Sequence, residues 1–161
     1  MSQFIVATTK VSDPDVIVEA FKEMGVAKEH IEIHEIPAEM VGYDSSDVRV
    51  AEIIVRREHI GAHYGDIGAT RYNAEGKKEK YFRFITDDMD CGAADKDGNC
   101  HGRVDRQLGT TRGGFANHIA GRANCISGER WAKKRGYRRT ERIYQRDEAN
   151  NITGARLALH R

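Results

Sequence analysis

The chain has 161 residues and a formal net charge of +1, from 26 Lys+Arg against 25 Asp+Glu, and 39% of it is hydrophobic. That length fits one domain, since domains run to about 100–200 residues, and the composition excludes collagen-like, low-complexity and disordered chains. Near-neutrality argues against a uniformly basic nucleic-acid coat, three cysteines are too few for a disulfide framework, and no apolar run approaches the roughly 20 residues that span a bilayer.

Residues 3–10 read as a first strand, rich in β-branched and aromatic side chains (Phe4, Ile5, Val6, Thr8). Asp13-Pro14 is a helix start, because Asp caps the first turn and Pro lacks an N–H that would be unpaired there. Val16, Ala20, Phe21 and Met24 continue at helical spacing to a stop at Gly25. Ile31 to Ile36 reads as a short strand ending at Pro37. Val48 to Arg57 is apolar on both faces apart from Glu52, the pattern of a central strand. Ile67 to Tyr72 and Lys80 to Thr86 form a hairpin across Asn73-Ala74-Glu75-Gly76.

Residues 87–114 break the pattern with an irregular Asp-, Gly- and Cys-rich insertion. Phe115 to Arg135 is helical, with Gly121 and Ser127-Gly128 predicting a kink or a second helix. Tyr137 to Arg146 and Ile152 to His160 form a last strand pair, turning at 147–151. The expected architecture is a single α+β domain over residues 1–161, a mainly antiparallel sheet with two principal helices on one face. The opening Met1-Ser2-Gln3-Phe4 has no basic flank or apolar core, which makes a reducing cytoplasm the expected compartment.

The near-zero charge is a cancellation. Residues 1–99 hold 12 Lys+Arg against 20 Asp+Glu, a balance of −8, and residues 100–161 hold 14 against 5, a balance of +9. Such asymmetry hints at a nucleic-acid or acidic partner. The plainer alternative is that the two segments neutralise each other in the fold.

Several short motifs carry a family resemblance. Met1-Ser2-Gln3-Phe4 leads into a strand, then Val11-Ser12-Asp13 and a helix ending at Gly25. Gly42-Tyr43, Ala51-Glu52-Ile53-Ile54-Val55-Arg56 and Tyr64-Gly65-Asp66-Ile67-Gly68 follow. Together they resemble a domain-of-unknown-function family of small cyanobacterial, plastid and bacteriophage proteins. The similarity covers residues 1–90 and returns in the terminal helix and in Asn151 to Leu157. The chain departs from it by inserting Gly65 between Tyr64 and Asp66, and by carrying residues 87–114. The resemblance supplies no catalytic residue. It implies an accessory role beside an AAA+ ATPase, or on a host protein for a phage-derived chain.

Cys91, Cys100, His101 and Cys125, with His118 as a further donor, are the candidate zinc ligands, although Cys91 and Cys100 are wider apart than structural sites prefer. Buried apolar cysteines are the alternative. Asp95, Asp97 and Asn99 resemble part of a calcium loop but lack its Gly and Glu, so a turn is expected. His59 and His63 fall in a loop, and Arg56, Asp66, Asp87 and Asp88 near strand ends lack a nucleophile beside them.

The basic segment is the most informative constellation. Arg103, Arg106 and Arg112 precede the long helix. Arg122, Arg130, Lys133, Lys134, Arg135, Arg138 and Arg139 follow, interleaved with Trp131 and Tyr137. Cations neutralise phosphates and rings stack on bases, so the stripe fits nucleic acid or an acidic protein surface. The leading expectation is a non-enzymatic binding or adaptor protein that docks on and modulates a protein partner. Next comes a nucleic-acid-binding accessory protein using residues 103–139, and third a metal-dependent enzyme. Exposed sheet edges also leave a homodimer open.

Overall fold

The computed structural model describes residues 3–44, 46–146, 148 and 152–160. Its strands are β1 (Phe4–Thr8), β2 (Ile31–Met40), β3 (Arg49–Val55), β4 (Ile67–Tyr72), β5 (Lys78–Asp87), β6 (Arg139–Arg146) and β7 (Ile152–His160). The helices are α1 (Pro14–Glu23), α2 (Arg103–Leu108) and α3 (Phe115–Lys134), with single 3-10 turns at Lys28–His30 and Arg57–His59. β1 to β5 form one antiparallel sheet in the order β1-β5-β4-β3-β2, and β6 and β7 pair separately. The fold is α+β, as the sequence predicts.

Alternating side chains separate the two faces of the large sheet. Ile53, Val55, Ile67, Ala69, Phe82 and Phe84 pack with Ile17, Phe21, Phe115 and Ile119 of α1 and α3 into the main core. Phe4, Met40, Ala51, Ile54 and Ile85 form a smaller cluster on the opposite face. Phe21 meets Phe84 edge-on at 5.7 Å, and each such fully buried aromatic contributes about 1.5–3 kcal/mol. α1 starts as expected, with Asp13 accepting from the Asp15 N–H at 2.9 Å and Pro14 in the first helical position.

Three expectations are corrected. β2 runs on through Pro37 to Met40, because its register with β3 shifts between Ile33 and Ala38 and the proline falls inside that bulge, where no ladder donor is needed. α3 is one continuous helix. Gly121 and Gly128, seven residues apart, lie on the face where the β6–β7 hairpin packs, and a Cβ on Gly128 would stand 2.5 Å from Leu157. The glycines serve close approach rather than a kink. The insertion at 87–114 is also not structureless, since it holds α2 and bridges pairing Ala94 with Cys100 and Asn99 with Arg112. Of the predicted turn at 147–151, only Glu148 falls within the described residues.

Defined ion pairs tie α1 to β6 and hold the acidic N-terminal strands among themselves. Arg142 of β6 makes a bidentate bond to Glu23 of α1, at 2.6 and 3.1 Å, and also pairs with Glu129 of α3. Arg56 is shared between Glu32 and Asp66, at 2.7 and 2.9 Å, and Arg71 binds Glu52 at 2.6 Å. Arg142 holds the Glu23 carboxyl below its usual range, Arg56 does the same for Glu32, and Arg71 does so for Glu52 against the opposing effect of burial. A carboxyl lowered in the folded state contributes stability above its ordinary pKa of 4.5 that is lost as pH falls through the folded value. The thermal midpoint is therefore expected to hold from pH 7 to 5 and to drop as the solution is taken to pH 3. An unchanged midpoint would show that these pairs do not set the response to acid.

Candidate functional site

The helix α3 divides the basic stripe. Its 20 residues span about 30 Å at 1.5 Å per residue, so the cations before its start and those at its end lie on separate surfaces. The middle is compensated by α1 and its cap: Arg122 pairs with Glu23 at 3.3 Å and Arg130 with Asp13 at 3.7 Å. At the start, Arg106 donates to the His101 carbonyl at 2.7 Å, while Arg103 and Arg112 are exposed. The neutralisation weighed from sequence is thus partial, and it ends before the last turn of α3.

That last turn and the start of β6 form the densest constellation. Trp131, the single tryptophan, is 47% exposed. The Arg135 guanidinium lies 4.5 Å from its ring centroid, and the Tyr137 ring stacks at 6.2 Å with a 22° interplanar angle. Lys134, Arg138 and Arg139 lie close to them along the chain and Lys133 on the opposite side of α3 beside Glu19, Glu23 and Glu129, all four exposed and without an ion pair among the described residues. Trp131 also walls two grooves. One, of about 280 Å³, is shared with Gly128, Leu157 and Leu159. The other, of about 660 Å³, is shared with Thr8, Lys10 and Ser127.

The proposed zinc set is not assembled. Cys91 and Cys100 face a groove beside β1, whereas Cys125 lies farther along α3 against Gly128 and Leu157. His101 bonds Asp95 at 2.9 Å and His118 bonds the Arg112 carbonyl at 2.6 Å. Burial pushes all three thiols up, for Cys91 with help from Asp105 and Asp90, which disfavours the thiolate that a metal requires. Among the described residues no group of three or more His, Cys, Asp or Glu is placed to hold a metal. Asp95 instead accepts the Asp97 and Asn99 N–H groups, each at 2.9 Å, making the predicted turn. His59 stacks on His30 at 3.9 Å rather than joining His63.

Three buried carboxylates organise the loops, and of them only Asp66 is a candidate from the sequence alone. Asp66 accepts from the Val41 and Arg57 N–H groups at 2.7 and 3.0 Å, besides pairing with Arg56. Asp90 takes the N–H groups of His63, Tyr64 and Gly65 at 2.8, 2.8 and 3.1 Å. Asp105 takes those of Phe115, Gly92 and Gly102 at 2.7, 2.9 and 3.2 Å, and the Thr110 hydroxyl at 3.3 Å. Asp87 and Asp88 are likewise engaged, accepting from the Met89 and Gln3 N–H groups at 2.9 Å. These acids hold the chain in place, leaving the Trp131 surface as the constellation with free charge and exposed aromatic area. No family model, no curated protein and no solved structure matches this chain.

Proposed function

We propose that this chain is a non-enzymatic binding protein that docks on an acidic protein surface through the end of α3 and the start of β6. The observation that carries the reading is the exposed Trp131, held by Arg135 and Tyr137, with Lys134, Arg138 and Arg139 exposed nearby in the chain and without an ion pair among the described residues. Tryptophan, tyrosine and arginine are the residues that most often anchor an interface, and a cationic rim steers an acidic partner toward them. An AAA+ ATPase or a phage host protein is the partner class that the family resemblance implies. A nucleic acid is the second reading, favoured by the same cations. The Arg135 guanidinium and the Tyr137 ring already lie against Trp131 and leave less of it for a base to stack on, which favours the protein.

Because Trp131 is the sole tryptophan, its emission reports occupancy directly. Titration with a Glu/Leu-rich peptide at low salt is expected to shift that emission. Lys133→Glu/Lys134→Glu/Arg138→Glu is expected to weaken the binding at least tenfold, since like-charge juxtaposition costs several kcal/mol. Tighter binding of oligo(dT), with a steep salt dependence, would transfer the site to the nucleic-acid reading. Silence toward both probes would overturn the proposal.

A further inference from the structure

The two grooves beside Trp131 join into one cleft. Asn124, Gly128 and Trp131 fall at i, i+4 and i+7 along one face of α3, and all three line both grooves, as does Ala155. Ala155, Leu157 and Leu159 are alternate residues of β7 and share the face it turns to the helix. On the other side stands the chain leaving β1, Thr8 to Lys10, tied to α3 by the Lys10 N–H donating to the Asn124 side chain at 3.0 Å.

The lining of this cleft combines apolar walls with cations alone. Trp131, 47% exposed, and Leu159, 36% exposed, leave apolar area at its mouth. The charged side chains on its walls are Lys10, on the β1 side, and Arg156, on the β7 side. Both are exposed, and neither has an ion pair among the described residues. No carboxylate lines either groove among the described residues. The volumes, about 280 and 660 Å³, match the scale of pockets that enclose a ligand group, about 300–1,000 Å³.

We propose that the cleft takes an extended acidic peptide segment of the partner. One apolar side chain seats against Trp131, Leu157 and Leu159, and carboxylates on either side of it reach Lys10 and Arg156. The inference rests on the acidic-protein reading above and adds where the partner enters. Shape selects the segment, because a flat acidic face can meet the cations at the end of α3 but cannot enter between a helix and a strand. Charge selects the anion, since both walls present a cation. The apolar anchor follows from the walls themselves, and a side chain buried in such a pocket is where binding energy concentrates.

The test compares the peptides Glu-Glu-Leu-Phe-Glu-Glu and Glu-Glu-Ser-Ser-Glu-Glu by titration at low salt, read by the emission of Trp131. The Leu-Phe peptide is expected to bind at least tenfold tighter, and to shift the emission to the blue as the ring leaves water. Lys10→Glu/Arg156→Glu should weaken that peptide at least tenfold while keeping the thermal midpoint, because both positions are exposed. Ser127→Phe, which narrows the wider groove and leaves the cations at the end of α3 in place, should do the same. Equal affinity for the two peptides would overturn the cleft, as would full affinity in Lys10→Glu/Arg156→Glu. If Lys133→Glu/Lys134→Glu/Arg138→Glu then abolishes binding, the acidic-protein reading stands without the cleft. Equal binding of Gln-Gln-Leu-Phe-Gln-Gln would overturn the acidic occupant, and silence toward all three peptides would overturn both readings together.

Discussion

Replacing Asp105 by alanine is expected to remove about 3 kcal/mol of stability, read as a shift in the denaturant midpoint at constant slope. The carboxylate is wholly buried and serves three backbone N–H groups and one hydroxyl. Each donor stranded without water costs about 1–3 kcal/mol, and a domain has only about 5–15 in all. Asparagine should not restore it. Its amide nitrogen would face either the Gly92 and Gly102 donors or the Phe115 and Thr110 donors, so about 2 kcal/mol is expected to be lost. The pH dependence carries a distinctive sign. Burial pushes the Asp105 carboxyl above its ordinary 3.8 despite its hydrogen bonds. That contribution is fully present below 3.8 and lost as pH rises through the folded value. The gap between the natural protein and Asp105→Ala should therefore widen from pH 7 toward pH 4, opposite to the trend expected for the Glu23, Glu32 and Glu52 pairs.

The second large effect is expected at Gly102. A Cβ there would lie 2.1 Å from the Asp90 carbonyl oxygen and 2.5 Å from both the Asp90 carbonyl carbon and the Gly92 nitrogen. All three are backbone atoms, so no rotamer change relieves the contact. Relaxation must separate the chain at Asp90 from the start of α2, straining the bond from the Val104 N–H to the Asp90 carbonyl at 2.9 Å. Overpacking of this kind costs about 1–3 kcal/mol. Because the Asp90 side chain also holds His63, Tyr64 and Gly65, Gly102→Ala should speed amide exchange in that distant loop. Unchanged exchange there would show that Asp90 holds the loop independently of its own backbone position.

Both effects fall in the segment 87–114, whose sequence pattern is irregular, and the reason is physical. The elements legible in advance are those with a local signature. Asp13-Pro14 starts α1, Asn73 to Gly76 turns a hairpin, and the apolar run at Ala51 to Val55 marks an inner strand of the sheet. The organisation of 87–114 has no such signature. The partners of Asp90 lie 25–27 residues upstream, and those of Asp105 reach 13 residues upstream and 10 downstream. A buried aspartate that binds backbone amides looks, in sequence, like any solvated one. The kink predicted at Gly121 and Gly128 shows the same limit, since the hairpin they accommodate begins only after α3 ends. The cationic residues were legible, but their division was not. Which of them Glu23 and Asp13 would compensate depends on how α1 lies against α3.

The bulged, proline-bearing β2 edge also sets an upper bound on assembly. A sheet with two receptive edges can add copies without end, and head-to-tail contacts that fail to close grow into filaments. Here the β2 edge is bulged and charged, so copies cannot add to the large sheet from both sides.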